Sequence, residues 1–454
     1  HTVGNHEDIE DDAQREAIID IHTEALDNKT NSHENLADRE SVLVDTVEYN
    51  NLYYPGETYK LEAWLVHKET ERVLPLYGTD GETIVTKEFT ADESRSGSEE
   101  LEFHVDTSEL KNNDIVAYAR LYKDDVLIAS HEDLEDSQET IYVPEITAHA
   151  FDSVTGDWEG WATEDSVMVD TVNYDNLTYG QVYIAHAVVY DQRTGEMFEV
   201  DDDVVEGYET FVAGEPNVFG DALDAFLSGV SSLFGQDYTH RVSGSVNVEI
   251  PFDASTAEGK DLIPFVYVYR AESEDDEIDY NMMVARLDDI DNADQIVSYP
   301  FVRTEMKDSV NGTHDSQVRN DSSLTDRVVY KNLRVGQTYT FTGKLYDPED
   351  DSTPLLINGE EVVGTATFKA EERDGVADVV YTFDSSELEG VDVVSMEYLT
   401  REGYTVGDHT DISDDKQRVA NINIHTEALD KLTGTHENLA SDTAVLVDTV
   451  EYVN

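Results

Sequence analysis

Cysteine is absent from all 454 residues. That excludes a disulfide framework, a thiolate metal site and a cysteine nucleophile. Positive charge is scarce: 29 Lys and Arg face 101 Asp and Glu, a formal net charge of −72. Such a surface repels phosphate backbones and anionic headgroups, which excludes nucleic-acid or membrane binding through basic patches. No apolar run is long enough to span a bilayer, so no membrane span is expected in this segment. His1 opens neither with an initiator Met nor with a signal-peptide pattern, so the chain reads as a mature protein or an excised fragment.

Strong charge with 39% hydrophobic residues also suits a disordered chain. Periodicity argues otherwise. Val42, Leu43 and Val44 with Val47 and Tyr49, and the run from Tyr339 to Leu345, are β-branched and aromatic stretches at strand spacing, bounded by Asn, Asp, Gly and Pro. The length is that of about three domains.

Internal repetition is the dominant signal. Residues 19–50 return at 423–454 with the same order of strand, loop and strand, and the stretch VLVDTVEYNNL recurs as VMVDTVNYDNL from Val167 and as SLTDRVVYKNL from Ser323. An acidic turn leading into a strand precedes each start, from His6, His131, Leu287 and His409. The expected layout is therefore the last strand of a module at 1–18, whole modules at 19–143, 144–300 and 301–420, and the first strands of another at 421–454. This reads as a window on a longer tandem array. Short strands between turn clusters predict an all-β fold, antiparallel Ig-like or CnaB-like sandwiches in an extended row. Module two is longer by an insert at about 205–245. There Phe219, Leu223, Phe226, Leu227, Val230 and Phe234 lie on one helical stripe, predicting a helix that caps its own sandwich or docks another subunit.

The pattern IxTxAxD, then DTVxYxNL with PGxxYxL, then a late HxDIxDxxQ, resembles the VaFE-type, Thr–Gln ester-bond domains of bacterial surface adhesins. The resemblance covers nearly the whole chain as repeats. It implies a CnaB-like or immunoglobulin-like sandwich whose first strand carries a Thr and whose last strand carries a Gln. The two condense spontaneously into an ester with loss of ammonia, helped by an Asp, a Glu and a His. The chemistry is coherent. A Thr hydroxyl needs a base, a task suited to His, and a primary amide needs polarising, which a carboxylic acid kept neutral by burial can do. Folding supplies the effective molarity. The reaction runs once per domain, so no enzyme acting on external substrates is expected.

Spacing assigns the positions. In module three Thr304 precedes Asp326 by 22 residues, Glu397 and His409 follow, and Gln417 stands 8 after that His. A Thr304–Gln417 ester is expected, with His409 as proton shuttle and Asp326 and Glu397 as the carboxyl pair. Module one keeps Thr23, Asp45 and His131, but Glu139 holds the closing position and Ala119 stands where the family has Glu. A carboxylate is a poor acyl donor, and only a one-residue bulge would bring Gln138 inward. In module two Ala148 replaces Thr, with Thr147 facing the other side, and Leu287 replaces His; Asp170 and Gln295 remain, and no cross-link is expected. His6 and Gln14 belong to a preceding module, Thr426 and Asp448 to a following one.

The expected role is the structural shaft of a cell-surface adhesin or extracellular fibre. Its partners would be neighbouring modules or copies of itself in a fibre. A ligand-binding adhesin module with a host or cell-surface ligand, and a filament subunit assembling through the module-two helix, are the other readings. Asn28, Asn176, Asn311 and Asn320 head N-x-S/T sequons. The acidic loops 201–203 and 347–351 offer carboxylates to Ca²⁺ but lack the EF-hand pattern, and no metal or other cofactor is assigned. The size of the net charge suggests a high-salt habitat.

Overall fold

The computed structural model describes residues 15–214 and 240–453. Each module is a pair of facing β-sheets, one of three strands and one larger. In module one Asp20–Asp27, Ser41–Asn50 and Gly97–Val105 form the small sheet, in that spatial order. Thr58–His67 and Asn113–Lys123 lie at the centre of the other, flanked by Val85–Thr90, Val126–His131 and Thr140–Val143. Module two repeats this with Glu145–Asp152, Ser166–Thr178 and Arg241–Phe252 against the sheet built on Val182–Asp191 and Lys260–Ala271. Module three repeats it again, with Phe301–Asp308, Ser322–Lys331 and Gly375–Phe383 against the sheet built on Thr338–Asp347 and Asp392–Arg401.

Alternation along the strands causes this layering. In Thr338–Asp347 the positions Tyr339, Phe341 and Leu345 are buried while Thr338, Thr340, Thr342 and Lys344 are partly or fully exposed, so over most of the strand one face is apolar and the other is wet. Three separate apolar cores result, one per module. The opening strand contributes alternate residues to that interior: in Phe301–Asp308 they are Val302, Thr304, Met306 and Asp308. Module ends are thus brought together from the two extremes of its sequence.

The expected insert of module two is strand at both its edges, Glu206–Val212 and Arg241–Phe252; its apolar stripe from Phe219 to Phe234 lies outside the described residues. His6 and Gln14 also lie outside them. The boundary expected after residue 420 falls inside one continuous strand, Arg418–Asp430, which closes module three and then pairs with Leu446–Val453.

A glycine recurs opposite the tyrosine of the DTVxYxN stretch. Gly97, Gly244 and Gly375 pair across the small sheet with Tyr49, Tyr174 and Tyr330. A Cβ at these glycines would stand 2.6, 2.3 and 2.3 Å from the tyrosine oxygen, so the ring occupies the space a side chain would take. Gly375→Val should therefore destabilise module three by about 1–3 kcal/mol through overpacking, read as a lower urea midpoint.

Candidate functional site

In module three the five expected residues meet in the interior. Thr304 Oγ1 lies 3.2 Å from His409 Nδ1 and 3.5 Å from Glu397 Oε2. Glu397 and His409 are cross-strand neighbours on Asp392–Arg401 and Tyr404–His409. Gln417 ends a short 3-10 turn whose cap, Asp414, accepts the Lys416 N–H, and this turn aims the amide inward. Gln417 Nε2 donates to Glu397 Oε2 at 3.1 Å and to the His409 carbonyl at 3.4 Å, while its Oε1 is buried without a partner. Asp326 Oδ2 accepts from Ser395 Oγ at 2.6 Å. All five side chains are buried.

The electrostatics suit acid–base chemistry. Burial, then the Asp326 charge, pushes Glu397 well above the usual carboxylate range, which favours its protonated form. Burial, then Arg303, pulls His409 below its ordinary value, so it is a neutral base there. Its Nε2 faces Asp414 Oδ2 at 3.5 Å, which favours a proton on Nε2 and leaves the Nδ1 lone pair directed at the Thr304 hydroxyl.

Three contributors were not anticipated from sequence. Tyr381 Oη donates to Glu397 Oε1, Ser395 holds Asp326, and Gly343 opens the space between them. A Cβ at Gly343 would stand 1.9 Å from Tyr381 Oη and 2.9 Å from Glu397 Oε1. The signal was present as a contrast between modules. Strand register places Phe103, Ala63 and Ala117 of module one, and Ile250, Ala187 and Pro264 of module two, where module three has Tyr381, Gly343 and Ser395.

Module one assembles a different interior. Ala119 pairs with His131 as Glu397 does with His409. Glu139 is fully buried and Gln138 is exposed, so no bulge brings the amide inward. Thr23 Oγ1 and both oxygens of Asp45 and of Glu139 are buried without hydrogen-bond partners. His131 Nε2 binds Asp136 at 2.9 Å and stands 4.0 Å from Glu139 Oε1. Burial raises Asp45 to about 7, and burial with the Asp45 charge raises Glu139 to about 10. In module two Ala148 is buried and Thr147 exposed, so no hydroxyl occupies the opening position; Gln295 Nε2 donates to Asp170 Oδ2 at 3.0 Å. Val266 and Leu287 pair where module three has Glu397 and His409. Thr426 and Asp448 lie on the paired strands of the following unit and are exposed. Of the sequon asparagines, Asn28, Asn311 and Asn320 are exposed, whereas the Asn176 amide donates to Asp114 Oδ1 at 3.0 Å between modules. Among the described residues no group of three or more His, Asp and Glu is arranged to hold a metal ion.

A family model described as "T-Q ester bond containing domain" matches residues 19–143, 144–299 and 300–421. The chain belongs to this T-Q domain family. The family is defined by an intrachain bond rather than by turnover of an external substrate. Among curated protein sequences none matches the chain. Similar solved structures include a bacterial adhesin from Mobiluncus mulieris containing intramolecular disulfide, isopeptide and ester bond cross-links. It is 12% identical, with 68% of this chain and 97% of that one covered, at a TM-score of 0.26. The C-terminal domain of the AgI/II polypeptide BspA of Streptococcus agalactiae is 12% identical, covering 58% and 97%, at 0.26. That of the antigen I/II-family protein AspA of Streptococcus pyogenes is 13% identical, covering 62% and 99%, at 0.28.

Two outcomes follow from the T-Q interiors. Tyr381→Phe removes one hydrogen bond from the acid that contacts both Thr304 and Gln417. It should slow loss of ammonia by about tenfold, the value of roughly 1.4 kcal/mol, followed by intact mass after cell-free synthesis. In module one the folded pKa of Asp45 and Glu139 lies above the unfolded one, so the folded state binds protons more tightly. The contribution of these two groups to stability is fully present below about pH 4 and is lost as pH rises through about 7 for Asp45 and about 10 for Glu139. Hydrogen exchange of the 20–27 and 140–143 amides should accelerate from pH 5 to 8 beyond the intrinsic rate, and Glu139→Gln should flatten that excess.

Proposed function

We propose that module three condenses Thr304 with Gln417 into an ester, and that the chain is the structural shaft of a cell-surface adhesin or extracellular fibre. The observation that carries this is the contact of Thr304 Oγ1 with His409 Nδ1 while the Gln417 amide shares Glu397 Oε2. His409 Nδ1 takes the proton as Oγ1 attacks the Gln417 carbonyl carbon. The amide oxygen and nitrogen exchange places by a half-turn, so neutral Glu397 donates to the oxygen and polarises it. The C–N bond breaks, the proton on His409 passes to the departing nitrogen, and ammonia leaves. One O–H and one C–N bond are exchanged for one C–O and one N–H bond, with no co-reactant. In module two no hydroxyl faces Gln295, and in module one no amide faces Thr23; neither makes this bond.

The mechanical argument rests on connectivity. Arg418–Asp430 runs without a break from the closing position of module three into the next unit, and Thr304 lies on the opening strand. A bond from 304 to 417 carries tension between the two ends and shields the strands between them. By analogy with a disulfide closing a loop on the order of 100 residues, it contributes about 4–5 kcal/mol. A shaft of this kind needs no cysteine, and its net charge of −72 favours an extended row of modules through mutual repulsion. The same charge fits a high-salt setting, and Asn28, Asn311 and Asn320 fit a glycosylated surface.

Intact mass under denaturing conditions should fall short of the sequence mass by one ammonia. Thr304→Ala and Gln417→Ala should each abolish the deficit and lower the thermal midpoint of module three. An unshifted mass overturns the cross-link, and a deficit of two overturns the exclusion of modules one and two.

A further inference from the structure

The junctions between modules carry a second repeated constellation, independent of the ester. Glu34 of module one is fully buried against module two. It accepts from Thr178 N at 2.9 Å, Thr178 Oγ1 at 2.7 Å, Tyr183 Oη at 2.5 Å and Arg241 Nη1 at 2.9 Å, and pairs with Arg270. Glu159 of module two is fully buried against module three in the same manner. It accepts from Tyr339 Oη at 2.8 Å and lies 2.8 Å from Arg401 Nε. Both tyrosines come from the PGxxYxL position or its counterpart. Both arginines stand across the strand pair from them: Tyr183 pairs with Arg270, and the pairing of Thr340 with Thr400 sets Arg401 opposite Tyr339.

A second contact accompanies each buried acid. Asn176 and Asn332, both left-handed at φ 65°, donate across the junction to Asp114 at 3.0 Å and to Asp261 at 3.1 Å. In a chain with only 29 basic residues, Arg241, Arg270, Arg334 and Arg401 all stand at these two junctions.

The parts recur where no partner module is described. An acid lies eleven residues after the opening-strand position in every unit: Glu34, Glu159, Asp315 and Glu437. The last two are exposed. Module one carries the receiving side. Tyr59 Oη accepts the Tyr54 N–H at 3.2 Å, as Tyr183 and Tyr339 accept the N–H groups of Thr178 and Arg334. The pairing of Lys60 with Tyr122 sets Lys123 opposite Tyr59, its Nζ 5.7 Å from the ring centroid. Asn51 is again left-handed, at φ 66°.

We propose that this acid and the tyrosine–cation pair form a directional coupling between T-Q modules. The acid at the rear of one module plugs into the front of the next and fixes their relative orientation. Tyr59 with Lys123 receives the acid of a T-Q module standing in front of module one. The coupling is directional because plug and socket sit at opposite ends of a module, so modules add head to tail. It is specific because a buried carboxylate without its cation is strongly unfavourable.

The absence of native cysteine allows spin labels at Glu93→Cys and Glu196→Cys, both exposed, in the full chain. Their distance distribution should be narrow. Glu34→Ala, and the milder Tyr183→Phe, should broaden it at least twofold, with the ammonia deficit and near-ultraviolet dichroism unchanged. A distribution as narrow as the parent's in both variants overturns the coupling. For the front of module one, a second copy of residues 19–143 is inserted ahead of module one in the full chain, and each copy is labelled at Glu93. Lys123→Ala with Tyr59→Phe in the rear copy should broaden a narrow parent distribution. A parent that is already broad, or variants that stay narrow, overturn the assignment of Tyr59 and Lys123. Failure of the ester would show as a missing mass deficit and leave these distances unaffected.

Discussion

A carboxyl group can lie in the interior of a β-sandwich beside another carboxyl only if one of them is neutral. Burial and the Asp326 charge push Glu397 towards that form, and much of module three is arranged around it. Gly343 clears space, Tyr381 and Gln417 donate to it, Ser395 holds the neighbouring Asp326, and Thr304 lies within reach. Without the neutral acid, the Gln417 amide would be a spectator hydrogen bond, as Gln295 is in module two.

The three modules show one scaffold with three interiors. Strand order and core are common, and the motif strand that carries Asp45, Asp170 and Asp326 is buried at the same point in each. What differs is a handful of inward side chains. Module one retains His131 and its partner Asp136 but sets Glu139 in the amide position, which leaves two buried carboxyls without hydrogen-bond partners. Protonation makes their burial tolerable, and this ties module one to proton concentration. Module two has Ala148, Leu287 and Val266 where module three has Thr304, His409 and Glu397.

Those ends connect stability to shape. A negative surface holds modules apart, so adhesion between them depends on scarce cations placed where one acid is desolvated. Glu34 stays below its ordinary pKa because Arg270 and Arg241 outweigh its burial, whereas Glu159, with burial dominant over Arg401 and Arg334, is raised. The two junctions share geometry and differ in proton affinity.

Repetition makes much of this legible in the sequence. Alternating apolar residues establish strands, fixed offsets align Thr304, Asp326, His409 and Gln417, and the same offsets expose Glu139 and Ala148 as departures. These are local or periodic properties, and a period survives without knowledge of what it packs against. Tyr381, Gly343 and Ser395 were not legible, because they join the site through cross-strand neighbours distant in sequence, and each alone is an ordinary strand residue. The junction acids were equally silent: a glutamate in a polar loop reads as solvated until the next module buries it. The sequence by itself determined the fold class, the repeat frame and the alignment of the candidate residues Thr304, Asp326, Glu397, His409 and Gln417. Only the tertiary structure decided which carboxyls are neutral and which acids are plugs, since both depend on desolvation, and burial is a property of the packed chain.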